Sequence, residues 1–127
     1  MRHALLIIDD DQIIRETLSQ VFSQEYECDT ADRVELALEC IAFHHYDAII
    51  TDISMPGVGG LQILRQIQAQ HIATPVIIIS GNGDEFRDRS MEMGAFAYFT
   101  KPFRLEDLEL AITQAIARNE RLNTMRV

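Results

Sequence analysis

Tryptophan is absent from this 127-residue chain, and it holds only two cysteines, three prolines and one lysine, Lys101. Cys28 and Cys40 lie twelve residues apart with no CxxC or Cys/His ligand spacing, which argues against a disulfide framework or a zinc site. Both read as small, inert, partly buried side chains. Long apolar runs are missing as well: the longest, such as Ala4-Leu5-Leu6-Ile7-Ile8, reach four or five residues. No membrane span and no signal peptide are therefore expected, and a cytoplasmic location is. Positive charge is scarce. Twenty acids against eleven bases leave a net charge of −9, which argues against a backbone grip on nucleic acid.

What is present is ordinary for a globular domain: 47% apolar and 24% charged residues, at a length suited to one domain. Leu5–Ile8, Ala48–Thr51, Val76–Ser80 and Phe96–Thr100 are near-continuous apolar runs, the mark of strands covered on both faces. Tyr26-Glu27-Cys28-Asp29-Thr30 alternates instead, as an edge strand does. Helical stripes lie between them. Ile13, Ile14, Leu18, Val21 and Phe22 share one face, as do Val34, Ala37, Leu38 and Ile41, and Leu61, Leu64 and Ile67. A fourth, mostly polar helix is expected over Asp84 to Met93, with Phe86, Met91 and Met93 as its apolar content. The fifth carries Leu108, Ala111, Ile112, Ala115, Ile116 and Leu122. Asp32 and Asp84 are candidate N-caps and Gly94 a candidate helix stop. Five strands alternating with five helices predict a (βα)5 α/β fold, a parallel sheet with helices on both faces. Adjacent His44 and His45 point in different directions on a helix, so a surface role is favoured over a shared metal.

In such sheets the functional groups sit beyond the C-terminal strand ends. There the first strand delivers Asp9 and Asp10, the third Asp52, the fourth Ser80 and the fifth Lys101. Each alone is unremarkable, because strands end where polarity begins. Four of five strands meeting at one rim with carboxylates, a hydroxyl and an ammonium are harder to assign to chance. Clustered carboxylates repel and draw in a counter-ion, and an oxygen-only ligand set without His or Cys favours Mg²⁺. An ammonium suits a phosphoryl oxygen, so phosphoryl transfer to a carboxylate is the chemistry these residue types support.

Four segments then carry a resemblance: IIDDDQIIRETL at 7–18, YDAIITDISMPGVGG at 46–60, TPVIIISG at 74–81 and MGAFAYFTKPF at 93–103. In order and spacing, they resemble the response-regulator receiver domain of two-component signal transduction. The likeness covers residue 3 to about 120, with the domain taken as 1–122 and 123–127 as a tail that could begin a linker to an output domain. It implies a flavodoxin-like, doubly wound, five-stranded sheet in the order 2-1-3-4-5. It makes Asp52 the phosphoacceptor. Asp10 and Asp52 would be direct Mg²⁺ ligands, Asp9 would act mainly through a bound water, and the Ser54 backbone carbonyl would add a ligand. Ser80 would turn its hydroxyl toward the phosphoryl group, Tyr98 would follow it, and Lys101 would pair with the phosphoryl oxygens. Lys101-Pro102 would be a cis peptide. Ser54 and Asn82 occupy positions that in relatives tune phosphoryl lifetime, and Gly59 stands where many relatives carry Asp or Asn.

Without the resemblance, Tyr98 reads as a strand aromatic packed at the sheet edge, and Pro56 as part of a turn with Met55 and Gly57. Asp11 is assigned to the negative charge favoured at a helix N-terminus. The function implied is a phosphorylation switch that takes a phosphoryl group from a sensor histidine kinase or phosphotransfer protein. It would relay that event to an output domain or protein target through the fourth and fifth helices and fifth strand, with a phosphorylation-dependent homodimer as one form of output. No enzyme activity beyond its own phosphorylation and dephosphorylation is expected. Two alternatives stand beside it. A phosphorylation-independent interaction module would usually lose an acid or the lysine, and this chain keeps both. An aspartyl-phosphate phosphatase would place a second Asp two residues after the nucleophile, where this chain has Ser54.

Overall fold

In the computed structural model, residues 2–54, 61–70 and 72–125 are described, with side chains through residue 122. The Met55, Pro56, Gly57 and Gly59 expectations lie outside the described residues. The elements follow in the order β1 (Ala4–Ile8), α1 (Gln12–Phe22), β2 (Glu27–Ala31), α2 (Val34–Phe43), β3 (Ala48–Asp52), α3 (Leu61–Ala69), β4 (Val76–Ser80), α4 (Arg87–Glu92), β5 (Ala97–Thr100) and α5 (Leu105–Met125). The strands form one parallel sheet in the order β2-β1-β3-β4-β5.

The near-continuous apolar runs are explained by what each face touches. Leu6, Ile8, Ile49 and Ile78 point to the side packed by Val34, Ala37, Ile63, Leu64 and Ile67 of α2 and α3. Leu5, Ile7, Ile50, Ile77 and Ile79 point to the other side, against Leu18 and Phe22 of α1 and Leu108, Ile112 and Ala115 of α5. A strand buried on both faces has no polar side to offer, so alternation disappears from β1, β3 and β4. Cys28 packs with the second set and Cys40 with the first, so the two free thiols lie on opposite faces of the sheet. Burial pushes the Cys28 thiol above its usual range, keeping it protonated and unreactive.

Several local expectations need correction. Asp32 does not cap α2: Arg33 holds the N-cap position, and the Asp32 carboxylate accepts from the Arg33 guanidinium at 2.8 Å. The fourth helix is shorter than Asp84–Met93: it begins at Arg87 and ends at Glu92, after a turn over residues 83–86 that opens with Gly83 at φ +63°. Asp84 accordingly makes no cap and accepts from Arg87 instead. Ile13 and Leu122, both expected on core stripes, are 76% and 49% exposed. Ile13 lies in the first turn of α1 and Leu122 in the last turns of α5, near helix ends. Gly94 does stop α4, at φ +96°, with its N–H donating to the Met91 carbonyl.

Two contacts at the rim opposite the candidate site tie β3 to its neighbours. The Ala4 N–H donates to the Asp47 carboxylate at 2.8 Å, and the buried Tyr46 hydroxyl donates to Asp29 on edge strand β2 at 2.7 Å. Burial and that anionic acceptor hold the Tyr46 hydroxyl protonated far above its usual range. His44 and His45 are exposed, with a His45 ring nitrogen 3.5 Å from Asp47.

Candidate functional site

Strand order reverses between β1 and β3: the chain leaves β1 toward β2 on one flank, and β3 to β5 extend the sheet on the other. The crevice beyond the C-terminal ends of β1 and β3 is where this topology opens a site. Asp9 follows the last residue of β1, Asp52 is the last of β3, Ser80 the last of β4, and Lys101 follows the last of β5. Asp9, Asp52 and Ser80 are all but completely buried, while Asp10 is exposed.

Carboxylates buried at this depth need partners, and each has two. Lys101 Nζ lies 3.0 Å from Asp9 Oδ2 and 3.1 Å from Asp52 Oδ2, so one ammonium bridges both acids. The other oxygens are held by backbone: Asp11 N–H donates to Asp9 Oδ1 and Ser54 N–H to Asp52 Oδ1. One ligand atom from each of Asp9, Asp10 and Asp52 can be chosen so that all lie within 4.8 Å of one another. Hard carboxylate oxygens at this spacing fit a hard divalent cation, with water completing its shell.

The charges are unevenly relieved. Burial raises Asp9 from an ordinary carboxylate value to about 6, with Asp52 pushing the same way and the Asp11 N–H and Lys101 pulling back. For Lys101 burial works against the charged form, but the two carboxylates outweigh it and the ammonium is held above its usual range. Two acids and one base leave net negative charge in a crevice, which a cation would offset.

The neighbours define how the rim is assembled. Asp11 is the N-cap of α1, its carboxylate accepting from Ile13 N–H at 2.9 Å and Ile14 N–H at 3.4 Å. That is a stronger role than the general helix-end charge expected of it. Arg15 reaches back from α1 to donate to the Asp9 carbonyl at 2.9 Å, a contact that its place on the amphipathic helix did not signal. Ser80 Oγ accepts from Asn82 N–H at 3.0 Å. Ser54 Oγ accepts from Gly81 N–H at 3.3 Å, joining the segments after β3 and β4. Tyr98, on β5, is 5% exposed and faces the α2–α3 side, its hydroxyl donating to the Gly83 carbonyl at 2.7 Å. Its ring lies under the Arg87 guanidinium, another residue without a sequence signal. The Lys101–Pro102 peptide is cis, as the resemblance implied.

The family model described as the response regulator receiver domain matches residues 5–113. This chain belongs to the response-regulator receiver domain family. Among curated relatives, this receiver domain is 33% identical over 114 residues to the regulatory protein AtoC of Escherichia coli K12, covering 88% of this chain and 25% of that protein. It is 36% identical over 118 residues to the response regulator ArlR of Staphylococcus aureus Mu50, covering 91% and 53%. The chain thus spans between a quarter and about half of these relatives. Among solved structures, the Clostridium thermocellum response regulator receiver domain superposes with a TM-score of 0.85 at 33% identity, covering 94% of this chain and 98% of that one. The Francisella response regulator 1452 receiver domain gives 0.86 at 28% identity, covering 92% and 98%. As a receiver domain the chain is a phosphorylation-type signalling switch of two-component systems, in the expected five-stranded order. Among the described residues no helix is long and apolar enough to cross a membrane.

Proposed function

We propose that Asp52 accepts a phosphoryl group from the phosphohistidine of a sensor histidine kinase or phosphotransfer protein, in a Mg²⁺-dependent reaction. The P–N bond to histidine breaks, an O–P bond to an Asp52 oxygen forms, and the imidazole leaves. The observation that carries this reading is the single ammonium shared by Asp9 and Asp52, with Asp10 within reach of both. Asp10, Asp52 and the Ser54 backbone carbonyl would hold Mg²⁺, Asp9 acting mainly through a water. When bound, the ion would supply charge neutralisation to the oxygens in flight.

The chain's own residues do the rest. Ser54 N–H orients the Asp52 carboxylate by fixing Oδ1, leaving Oδ2 on Lys101. Phosphorylation adds charge at Asp52, and Lys101 has only to shift its contact from carboxylate to phosphoryl oxygen. The Ser80 hydroxyl would leave Asn82 N–H to meet the same group, and the inward place of Tyr98, with its hydroxyl on the Gly83 carbonyl, would become the more populated one. The face made by α4, β5 and α5 would thereby change population and present the signal to an output domain or protein target.

The test uses beryllofluoride, a phosphoryl mimic. Amide spectra with Mg²⁺ and beryllofluoride are expected to shift along β4, the segment after it, and β5. Unchanged spectra would reject the switch in favour of an interaction module. Mg²⁺ alone, at ten times its dissociation constant, is expected to stabilise the fold by about 1.4 kcal/mol. Urea unfolding reads this directly, and Asp10→Ala should remove the gain. An equal gain in that variant would place the ion elsewhere.

A further inference from the structure

Tyr98 is packed inward, with its hydroxyl donating to the Gly83 carbonyl at 2.7 Å. Arg87, the first residue of α4, places its guanidinium carbon 4.8 Å from the Tyr98 ring centroid. Its Nη1 donates to the Tyr98 backbone carbonyl at 3.3 Å, while Nε and Nη2 reach Asp84 Oδ1 at 3.0 Å. One planar fork therefore touches the face of the ring, the strand that carries it and the loop that accepts its hydroxyl. A guanidinium over an aromatic face is attractive, and its fork geometry suits several acceptors at once.

The start of α4 is also held by its N-cap residue Phe86, which packs against the core, but that contact is apolar and does not select the Tyr98 ring. The helix has six residues, Met91 is 44% exposed, and the buried Ser90 hydroxyl has no hydrogen-bond partner among the described residues. Its far end is tied separately, by Gln68 donating to the Met93 carbonyl. Arg87 thus supplies a polar contact, among the described residues, that links the start of α4 to β5.

We propose that Arg87 is a positioning residue: it latches Tyr98 inward before phosphorylation and so sets the resting balance of the switch. The effect on phosphorylation rests on the function proposed above, but the latch itself does not. If the inward ring is the form that accompanies a phosphoryl group, then a contact favouring that ring also favours the phosphoryl mimic, by reciprocity. Apparent affinity falls in proportion to the fraction of molecules that hold the competent form.

The full chain labelled with 3-fluorotyrosine gives three fluorine resonances, and Tyr98→Phe identifies the one from Tyr98. In metal-free, unphosphorylated protein that resonance is expected to be shielded from a soluble paramagnetic probe. Arg87→Ala should expose it, and Arg87→Lys, which keeps the cation but not the fork, should restore part of the shielding. Beryllofluoride with Mg²⁺ should bind Arg87→Ala about fivefold more weakly, with the lysine variant between. The Tyr26 and Tyr46 resonances, far from Arg87 in the chain, report whether each variant keeps its fold. A Tyr98 ring that stays shielded in Arg87→Ala overturns the latch. An exposed ring with unchanged beryllofluoride affinity also overturns it as a setting of the switch. A wild-type protein that ignores beryllofluoride instead rejects the phosphorylation reading, and the latch is then judged on ring exposure alone.

Discussion

Replacing Asp52 with Asn is expected to reduce the uptake of base-labile phosphate from a phosphohistidine donor to background. The amide is almost isosteric and its oxygen can still accept from Ser54 N–H, so the local backbone is kept. What disappears is the anionic nucleophile: a neutral amide cannot attack phosphorus to form an acyl phosphate. Lys101 retains Asp9 as its partner at 3.0 Å, so the ammonium is not stranded. Labelling is measured as alkali-sensitive radioactive phosphate on protein whose amide spectrum confirms the native fold. The comparison with Asp9→Asn is informative, because Asp9 and Asp52 are nearly equivalent in geometry: both are buried, both touch Lys101, both accept one backbone N–H. Asp9→Asn should slow labelling, whereas Asp52→Asn should end it. Wild-type labelling of Asp52→Asn would move the acceptor to another residue.

The second large effect concerns Asp9 and runs opposite to the usual expectation for a salt-bridged acid. A carboxylate whose folded value lies above its unfolded one favours the protonated form in the fold. Between about pH 4 and 6 the folded chain then holds a proton that the unfolded chain has lost, so stability falls as pH rises through that window and levels off above it. A rise from 3.8 to about 6 corresponds to a penalty of about 3 kcal/mol at neutral pH. Asp9→Asn is therefore expected to be more stable than wild type at pH 7.5 in chelator, by up to about 3 kcal/mol, with the gap closing near pH 4. Urea unfolding at both pH values measures it. A gap that does not change with pH would remove burial of the charged form as the cause. Mg²⁺ should narrow the gap at pH 7.5, because the variant has lost part of the acidic cluster that the ion relieves.

Much of this was legible in the residues themselves. Apolar runs ending in Asp9, Asp52 and Ser80 locate the inner strands and the rim together, because a parallel strand covered on both faces admits polarity only at its ends. Caps were less legible. Asp32 and Asp84 have the right chemistry in the right place, but the first is taken by Arg33 and the second by Arg87, contacts that periodicity does not encode. Asp11, read only as helix-end charge, makes the cap that the other two do not. Tyr98 illustrates the limit best: its place on the strand follows from the sequence, while its inward ring and its hydroxyl on Gly83 depend on where α4 begins.

The sequence by itself determined the alternation of strands and helices, the residue types at the rim and, through four ordered motifs, the family. These are local properties: the two-residue and 3.6-residue periods, and the point at which each apolar run stops. Tertiary structure alone decided that one ammonium, 49 residues beyond Asp52 and 92 beyond Asp9, would stand between both carboxylates. It alone raised Asp9, since the cost of burying a charge depends on what closes over it. And it alone set Arg87 over Tyr98, because that contact depends on the turn at Gly83 and the short helix that follows, not on any spacing between the two residues.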